Sequence, residues 1–297
     1  MLLCGGARVE DEACCSPKRC LDDEASSRLR SDSPVSPLDP RLSSSSTLMM
    51  SREEEEDVSW LVRESRKTLA LLEFAGHGTV DLAADAPEIR EEEEFTCQRF
   101  LKGFQNNRSK SLKMMQSYIL WRSNTDTVRK EDITESLKAE KVLLLKGRDR
   151  RGGPTVVIVG RNHDMYKTDV EETVKLLTYC LDKAMALMER TKGITMATVI
   201  LDLEGIGWRN LDAQALKHVM LFFQNLYPER VRVAVFWKAP GIFGALWSIV
   251  KPFLSEATRS KILFARETAD LAGEVKLCHL PKAYGGQAED DTMVPMT

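Results

Sequence analysis

The segment from residue 242 to residue 254 constrains the fold most, because it predicts a helix that is apolar on two faces. Only Ser248 and Lys251 form its polar side. A surface helix needs one apolar stripe to pack on its own core. This helix has two, formed by Ile242, Leu246, Ile249 and Phe253 and by Phe243, Trp247, Val250 and Leu254. A second apolar partner is therefore expected, either a lipid in a cavity, a bilayer or another protein.

Strands and helices alternate on both sides of this segment. Four short apolar runs are typical of buried strands, at residues 155–160, 196–201, 231–237 and 262–265. Between them, residues 170–188 and 215–226 repeat apolar side chains at helical spacing, and a last short strand is expected at residues 275–277. This alternation predicts an α/β layer fold with parallel strand pairs.

Composition divides the chain into five segments. The N-terminal part is acidic, rich in Ser and too poor in apolar side chains to form a core. A helix is expected to begin after it, because Ser51 and Glu54 match a capping box. The predicted segments are a disordered tail (1–50), a helix and linker (51–90), an N-terminal helical subdomain (91–136), the main α/β domain (137–286) and a C-terminal tail (287–297).

Charge is distributed unevenly, although the formal net charge is only −3. Residues 1–57 carry 7 basic and 13 acidic side chains, whereas residues 229–266 carry 7 basic side chains and 2 Glu. A basic and apolar surface on an acidic protein favours anionic lipid as a partner. Its aromatic residues are not interleaved with basic runs, so nucleic acid is not expected.

The sequence carries few signals for export, membrane insertion or metal binding. No apolar run reaches the ~18–20 residues of a transmembrane helix, and the N-terminus lacks the apolar core of a secretory signal. The seven cysteines show no metal-binding spacing. The sequence therefore predicts a cytoplasmic protein that associates with membranes peripherally and binds no metal or cofactor.

Asp202 and Glu204 form the most catalytic-looking pair, because they follow an apolar strand and precede Gly205. The pattern resembles the nucleophile motif of haloacid-dehalogenase phosphatases, in which one carboxylate attacks phosphorus beside Mg²⁺. The third position is Glu rather than Asp, and no later acidic metal motif follows an apolar strand. A phosphatase therefore remains a remote alternative to a structural role, in which Asp202 orients the loop after the strand.

Six short motifs lie at residues 99–102 with 121–122, 149–154, 201–205, 227–230, 251–254 with 260–262, and 280–286. Their types and order resemble the CRAL-TRIO lipid-binding family, and the resemblance covers residues 91–286. Members of that family include phosphatidylinositol and α-tocopherol transfer proteins. The resemblance implies a helical subdomain and a mixed β-sheet floor with flanking helices around a cavity for one lipid.

The resemblance also implies a headgroup site. Phosphatidylinositol-binding members place a Glu, a Thr and a Lys at the positions of Glu229, Thr258 and Lys261. A further basic contact from the N-terminal helices is expected to be lost, because ungapped alignment places Phe104 and Gln105 there. The hydroxyls that bind phosphatidylcholine in dual-specificity members are expected to be absent as well, because Ala197 and Val199 occupy those positions.

The helix at residues 242–254 corresponds to the mobile gate of the family. The expected residues of the cavity and gate are Val199, Leu201, Phe223, Phe236, Phe243, Trp247, Val250 and Phe253. The sequence thus predicts a monomeric, non-enzymatic protein that binds one lipid, with a phosphatidylinositol-like lipid favoured, and exchanges it at a transient membrane contact. The alternative is an interaction module of the same fold without transfer activity.

Overall fold

The computed structural model of the protein describes residues 50–74, 87–124 and 128–296. The predicted disordered tail therefore lies outside the described residues, apart from Met50. The helices are α1 (Arg52–Phe74), α2 (Pro87–Gly103), α3 (Arg108–Asn124), α4 (Thr134–Lys138), α5 (Val170–Ala186), α6 (Ala213–Leu226), α7 (Gly241–Val250), α8 (Glu256–Ser260) and α9 (Thr268–Ala272). The strands are β1 (Val142–Leu145), β2 (Thr155–Val159), β3 (Ala197–Asp202), β4 (Val231–Trp237), β5 (Ile262–Ala265) and β6 (Met293–Pro295).

The described strands form one mixed sheet in the order β5-β4-β3-β2-β1-β6. Strands β2 to β5 pair in parallel, which confirms the predicted α/β layer fold, and β1 and β6 extend the sheet antiparallel. Successive side chains of a strand point to opposite faces. Val157, Ile200 and Val235 accordingly pack into a core with the C-terminal residues Leu271 and Leu280.

The opposite face of the sheet forms a floor of two cross-strand rows. Register places Val156, Val199, Ala234 and Ile262 in one row. It places Ile158, Leu201, Phe236 and Phe264 in the other. Helices α5 and α6 cover this floor, and both are amphipathic with an Asp N-cap.

Helices α1, α2 and α3 form a separate apolar core around Leu61, Phe100 and Ile119. The predicted capping box is present at the start of α1, where Ser51 N donates to Glu54 Oε2 at 2.9 Å and Glu54 N donates to Ser51 Oγ at 3.2 Å. The helical unit therefore includes α1, which sequence analysis assigns to a segment of its own.

Three elements differ from their predicted form. Helix α7 ends at Val250 and continues as a 3₁₀ turn to Phe253, because Pro252 has no N–H for the helical ladder. The segment 287–297 contributes β6, whose Pro295 is tolerated because β6 is an edge strand. Residues 275–277, predicted as a strand, supply only an isolated bridge from Val275 to Asp149.

Candidate functional site

A cavity of about 300 Å³ lies between the sheet floor and the helices that cover it. Both floor rows contribute side chains to it, and α5 and α6 provide the opposite wall through residues such as Leu177 and Phe223. Phe243 and Leu246 of α7 close one side, and both are buried. The volume is at the lower end of the range of small-molecule sites, ~300–1,000 Å³, and the wall is mostly apolar, as such sites require.

Glu229 and Lys261 meet at one end of the cavity. Each precedes a strand, β4 and β5 respectively, and neighbouring parallel strands bring their amino ends together. The Lys261 ammonium donates to Glu229 Oε1 at 2.7 Å, and both side chains are partly buried. Glu229 adopts a positive φ of 55°, which turns the chain from Pro228 into β4.

Thr258 completes this end through a hydroxyl network. Its Oγ1 donates to Gln224 Oε1 at 3.0 Å, and Ser255 N donates to the same oxygen at 2.7 Å. Ser255 also caps the helix that carries Thr258. We name Glu229, Thr258 and Lys261 the mouth cluster, and all three line the cavity.

Lys102 adds a basic residue that sequence analysis does not assign to the site. Its ammonium lies 3.8 Å from Glu229 Oε2, with 73% of the side chain exposed. Phe104 lines the cavity, and Lys102 lies beside the mouth cluster. The sequence feature that could have pointed to Lys102 is Gly103. It follows Lys102 and lets α2 approach Pro228 closely.

The C-terminal end of α2 packs tightly against the loop that carries Glu229. A Cβ on Gly103 would lie 2.6 Å from Pro228 Cβ. Arg99 Nη1 donates to the Pro228 carbonyl at 2.9 Å, which fixes the C-terminal end of α2 against the loop that carries Glu229. The α3 residue Arg122 makes a second connection, with hydrogen bonds to Asp182 at 2.8 and 2.9 Å. The helical unit therefore positions one side of the mouth cluster.

The predicted cavity and gate residues divide into two groups. Those that line the cavity are Val199, Leu201, Phe223, Phe236 and Phe243. The others, Trp247, Val250 and Phe253, are not part of its wall. Trp247 packs edge-on against Phe236 and Phe264 at centroid distances of 5.4 and 5.7 Å, and Val250 is fully buried. Phe253 lies on the 3₁₀ turn with the Lys217 ammonium 3.6 Å from its ring centroid.

The two apolar stripes of α7 are also distributed differently from expectation. Phe243, Leu246 and Val250 face inward, whereas Ile249 is 56% exposed and Phe253 46% exposed. The helix thus presents apolar surface to solvent as well as to the cavity. Aromatic packing on Phe236 holds it over the floor, and each such pair contributes about 0.5–1.5 kcal/mol beyond burial.

Asp202 has a structural environment. Its Oδ2 accepts from Arg161 Nη1 at 2.7 Å and from the Tyr284 hydroxyl at 3.0 Å, and its Oδ1 accepts from Glu204 N at 3.0 Å. Burial and the neighbouring Asp202 carboxylate raise the pKa of Tyr284, which keeps its proton in this hydrogen bond. The carboxylate therefore ties the loop after β3 to the C-terminal segment.

Two features are absent from the described residues. No helix in these ranges is both long and apolar enough to cross a membrane. Nor do these residues bring together three side chains of the His, Cys, Asp or Glu type in a geometry for a metal ion.

Comparison with known proteins connects this geometry to a family. The model of the CRAL/TRIO domain matches residues 138–286. The crystal structure of Sfh5 superposes with a TM-score of 0.61 at 18% identity, covering 81% of this chain and 90% of Sfh5, and confirms the fold. A CRAL-TRIO domain-containing protein of Schizosaccharomyces pombe, C3H8.02, is 28% identical over 63% of this chain and 44% of its own length.

A second relative is the phosphatidylinositol transfer protein CSR1 of Eremothecium gossypii, 27% identical over 64% of this chain and 46% of its own length. The chain thus spans somewhat less than half the length of these relatives. The family match covers half of the chain, and the motifs, the mixed sheet and the apolar cavity agree with it. The chain belongs to the CRAL/TRIO domain family, whose members bind hydrophobic lipid ligands.

Proposed function

We propose that this protein binds a single phosphatidylinositol-like lipid in its cavity and exchanges it with membranes when α7 opens. The observation that carries the proposal is the mouth cluster, a Lys–Glu pair with a Thr hydroxyl at one end of an apolar cavity. The phosphatidylinositol transfer protein CSR1 among the relatives supports the choice of lipid.

The mouth cluster has the chemistry that an inositol phosphate needs. A lysine ammonium is a compact charge suited to phosphate, and Lys261 reaches the cavity wall. Glu229 offers carboxylate oxygens to inositol hydroxyls, and Thr258 adds a hydroxyl that donates or accepts. We infer that the Lys261–Glu229 ion pair separates when the lipid binds. The ammonium then contacts the phosphate, and the carboxylate contacts the inositol hydroxyls.

The apolar floor of the cavity supplies the driving force for burying the acyl chains of a lipid. Burial contributes about 0.8 kcal/mol for each CH₂ removed from water. A bilayer already buries its acyl chains, so exchange depends on the difference in affinity between cavity and membrane. Exchange therefore requires that this difference be small enough for the lipid to leave the cavity again.

Helix α7 is the proposed gate and membrane contact. Ile249 and Phe253 expose apolar surface outside the cavity, and Lys217 and Lys251 lie beside them. An apolar surface flanked by basic residues suits an anionic membrane surface. We propose that the protein works as a monomer in the cytoplasm and associates with membranes only during exchange.

The test combines extraction with transfer. Mass spectrometry of an organic extract of the purified protein identifies the bound lipid, and native mass spectrometry gives its stoichiometry. One phosphatidylinositol per chain is the expected result. A different apolar lipid would retain a lipid-binding function and reject the mouth cluster as an inositol site. No lipid, even after incubation with mixed vesicles, would favour the interaction module.

Variants test the mouth cluster directly. Lys261→Met should lower transfer of phosphatidylinositol between vesicles at least about 10-fold, because hydrogen bonds to charged groups contribute about 1.5–3 kcal/mol. Lys238→Met is the matched control, since Lys238 pairs with Glu204 at 2.8 Å but does not line the cavity. Equal transfer by the two variants would contradict the headgroup assignment.

A further inference from the structure

The cavity has a second polar end, opposite the mouth cluster. Lys141 and His163 line it near the carboxyl ends of β2 and β3, where Val159 N donates to the Lys141 carbonyl at 2.8 Å. The mouth cluster lies at the amino ends of the neighbouring strands. The six residues of β3 separate the two ends by about 20 Å at ~3.3 Å per residue. We name Lys141 and His163 the far pair.

Lys141 is half-buried and its ammonium is held by hydroxyls. Nζ donates to Thr168 Oγ1 at 2.7 Å and to Ser136 Oγ at 3.3 Å. Ser136 in turn donates to a carboxylate oxygen of Glu172. In this chain of hydrogen bonds, the Ser136 hydroxyl therefore stands between the ammonium and the Glu172 carboxylate. Burial lowers the pKa of Lys141. A half-buried ammonium is costly unless it is paired.

His163 places a buried ring nitrogen beside a carboxylate. Its Nε2 lies 3.5 Å from Asp212 Oδ2, a long contact that does not form a well-aligned hydrogen bond. Burial and the nearby Lys141 charge lower the pKa of His163, which favours the neutral imidazole. The neutral ring can donate or accept, depending on its tautomer.

The charges around the far pair select the class of ligand. The carboxylates of Glu172, Asp164 and Asp212 lie within electrostatic reach of Lys141 or His163. They disfavour a further negative charge, so a carboxylate is a poor ligand here. An uncharged oxygen fits better, because it accepts from the ammonium and, as a hydroxyl, donates to the imidazole or to Asp212.

We propose that the far pair recognises a hydroxyl or carbonyl oxygen near the end of a lipid chain whose head occupies the mouth cluster. The inference rests on the proposed lipid-binding function. The separation of the ends supports it. The hydrocarbon core of a bilayer is ~30 Å thick, so one leaflet accommodates a chain of about 15 Å. An ordinary acyl chain therefore spans most of the distance between the two ends and brings its last carbons to the far pair.

The probes are palmitate, 16-hydroxypalmitate and hexadecanedioate, measured by displacement of a fluorescent fatty acid from the purified full chain. The hydroxy acid should bind at least about 10-fold more tightly than palmitate. The diacid should show no such gain, because its second charge meets the acidic surroundings. Equal affinities of palmitate and the hydroxy acid, with no hydroxyl preference among the lysophosphatidylinositols described below, would overturn this inference and leave the lipid-binding proposal standing. Absence of binding by every acid and every lysophosphatidylinositol would overturn both.

Variants test whether Lys141 and His163 cause the preference for the hydroxy acid. Lys141→Met should abolish the preference for the hydroxy acid and retain or raise the affinity for palmitate, which also shows that the variant is folded. Lys138→Met is the matched control, because Lys138 pairs with Glu135 on the surface of α4. A preference that survives both Lys141→Met and His163→Gln would overturn the assignment.

A second series identifies the source of the oxygen. Lysophosphatidylinositols with palmitoyl and 16-hydroxypalmitoyl chains are compared in the same assay. A hydroxyl preference in this series supports an oxygenated glycerolipid as ligand. A preference among the free acids alone supports a hydroxy fatty acid. No preference in either series would overturn the inference.

Discussion

Two ion-pair clusters lie near the amino ends of the parallel strands, on opposite faces of the sheet. On the core face, Arg232 joins Asp149 at 3.0 Å and Glu274 at 2.5 Å. On the cavity face, Lys261 joins Glu229 at 2.7 Å. The Asp149 side chain is fully buried, and its oxygens also accept from Thr198, from Arg151 N and from Gly153 N.

The difference separates a cluster that holds the fold from one that can exchange partners. A guanidinium fixes several planar partners in a rigid fork, whereas an ammonium is a point charge on a flexible stem. The core cluster centres on Asp149, which is fully buried and accepts four hydrogen bonds, although Arg232 Nε has no hydrogen-bond partner among the described residues. The mouth cluster faces a cavity, with Lys102 only loosely engaged at 3.8 Å. The burial and the hydrogen bonds of Asp149, rather than the presence of opposite charges, therefore identify the structural pair.

The largest expected effect comes from breaking the core cluster. Asp149→Ala should lower the free energy of unfolding by about 3–5 kcal/mol, because it leaves Arg232 partly buried without that partner and removes the hydrogen bonds of the 149–153 turn. Urea unfolding measures the change. The control Glu135→Ala, on the exposed surface of α4, should cost less than about 0.5 kcal/mol. A loss below about 1 kcal/mol for Asp149→Ala would remove the distinction between the clusters.

A smaller effect is expected where the helical unit meets the mouth cluster. Gly103→Ala should destabilise the protein by about 1–3 kcal/mol, because its Cβ would overlap Pro228. Gly244→Ala is the matched control: no atom lies within 4 Å of its added Cβ, and it should stabilise α7 by up to about 1 kcal/mol. Thermal unfolding compares the two, and equal shifts would show that the approach of α2 to Pro228 is not a close contact.

Breaking the mouth cluster should change stability least. Lys261→Met is expected to alter the free energy of unfolding by no more than about 1 kcal/mol, as for other partly exposed pairs, although lipid transfer falls. Urea unfolding beside the transfer assay provides the check. A stability loss as large as that of Asp149→Ala would make Lys261 a structural residue and remove it from the ligand site.

The smallest effect concerns two buried thiols, one on the cavity wall and one in the helical unit. Burial raises the pKa of both Cys180 and Cys97 to about 12. Alkylation of either should be slow at pH 8 and rise about 10-fold per pH unit as thiolate forms. Because only Cys180 lines the cavity, bound lipid should slow its alkylation and leave Cys97 unchanged. Peptide mass spectrometry measures both rates, and equal protection would place the lipid elsewhere.

The sequence predicts the main elements of the fold because their patterns are long. The strands of the parallel sheet and helices α5 and α6 carry apolar repeats that continue for several residues. In contrast, β6 has only three residues, too few for a reliable period, and β1, although as long as the predicted β5, is a short apolar run that does not distinguish strand from helix. The end of α7 is misplaced by a few residues because its apolar pattern continues through Pro252 to Leu254.

The candidate site is less accessible to sequence reasoning. Glu229 and Lys261 are 32 residues apart, and only strand pairing brings them together. Resemblance to a family suggests them, whereas periodicity does not. Lys102 escapes ungapped alignment because its position depends on how closely α2 approaches Pro228. The far pair escapes because an isolated Lys and an isolated His have no spacing signal.

Edge strands β5 and β6 also affect how this protein behaves at high concentration. Pro295 cannot donate to a further strand, so it hinders sheet extension by another molecule across β6. The β5 edge has no proline, and Leu263 and Phe264 are 36% and 47% exposed there. Self-association into aggregates should therefore begin at β5, beside α7, rather than at β6.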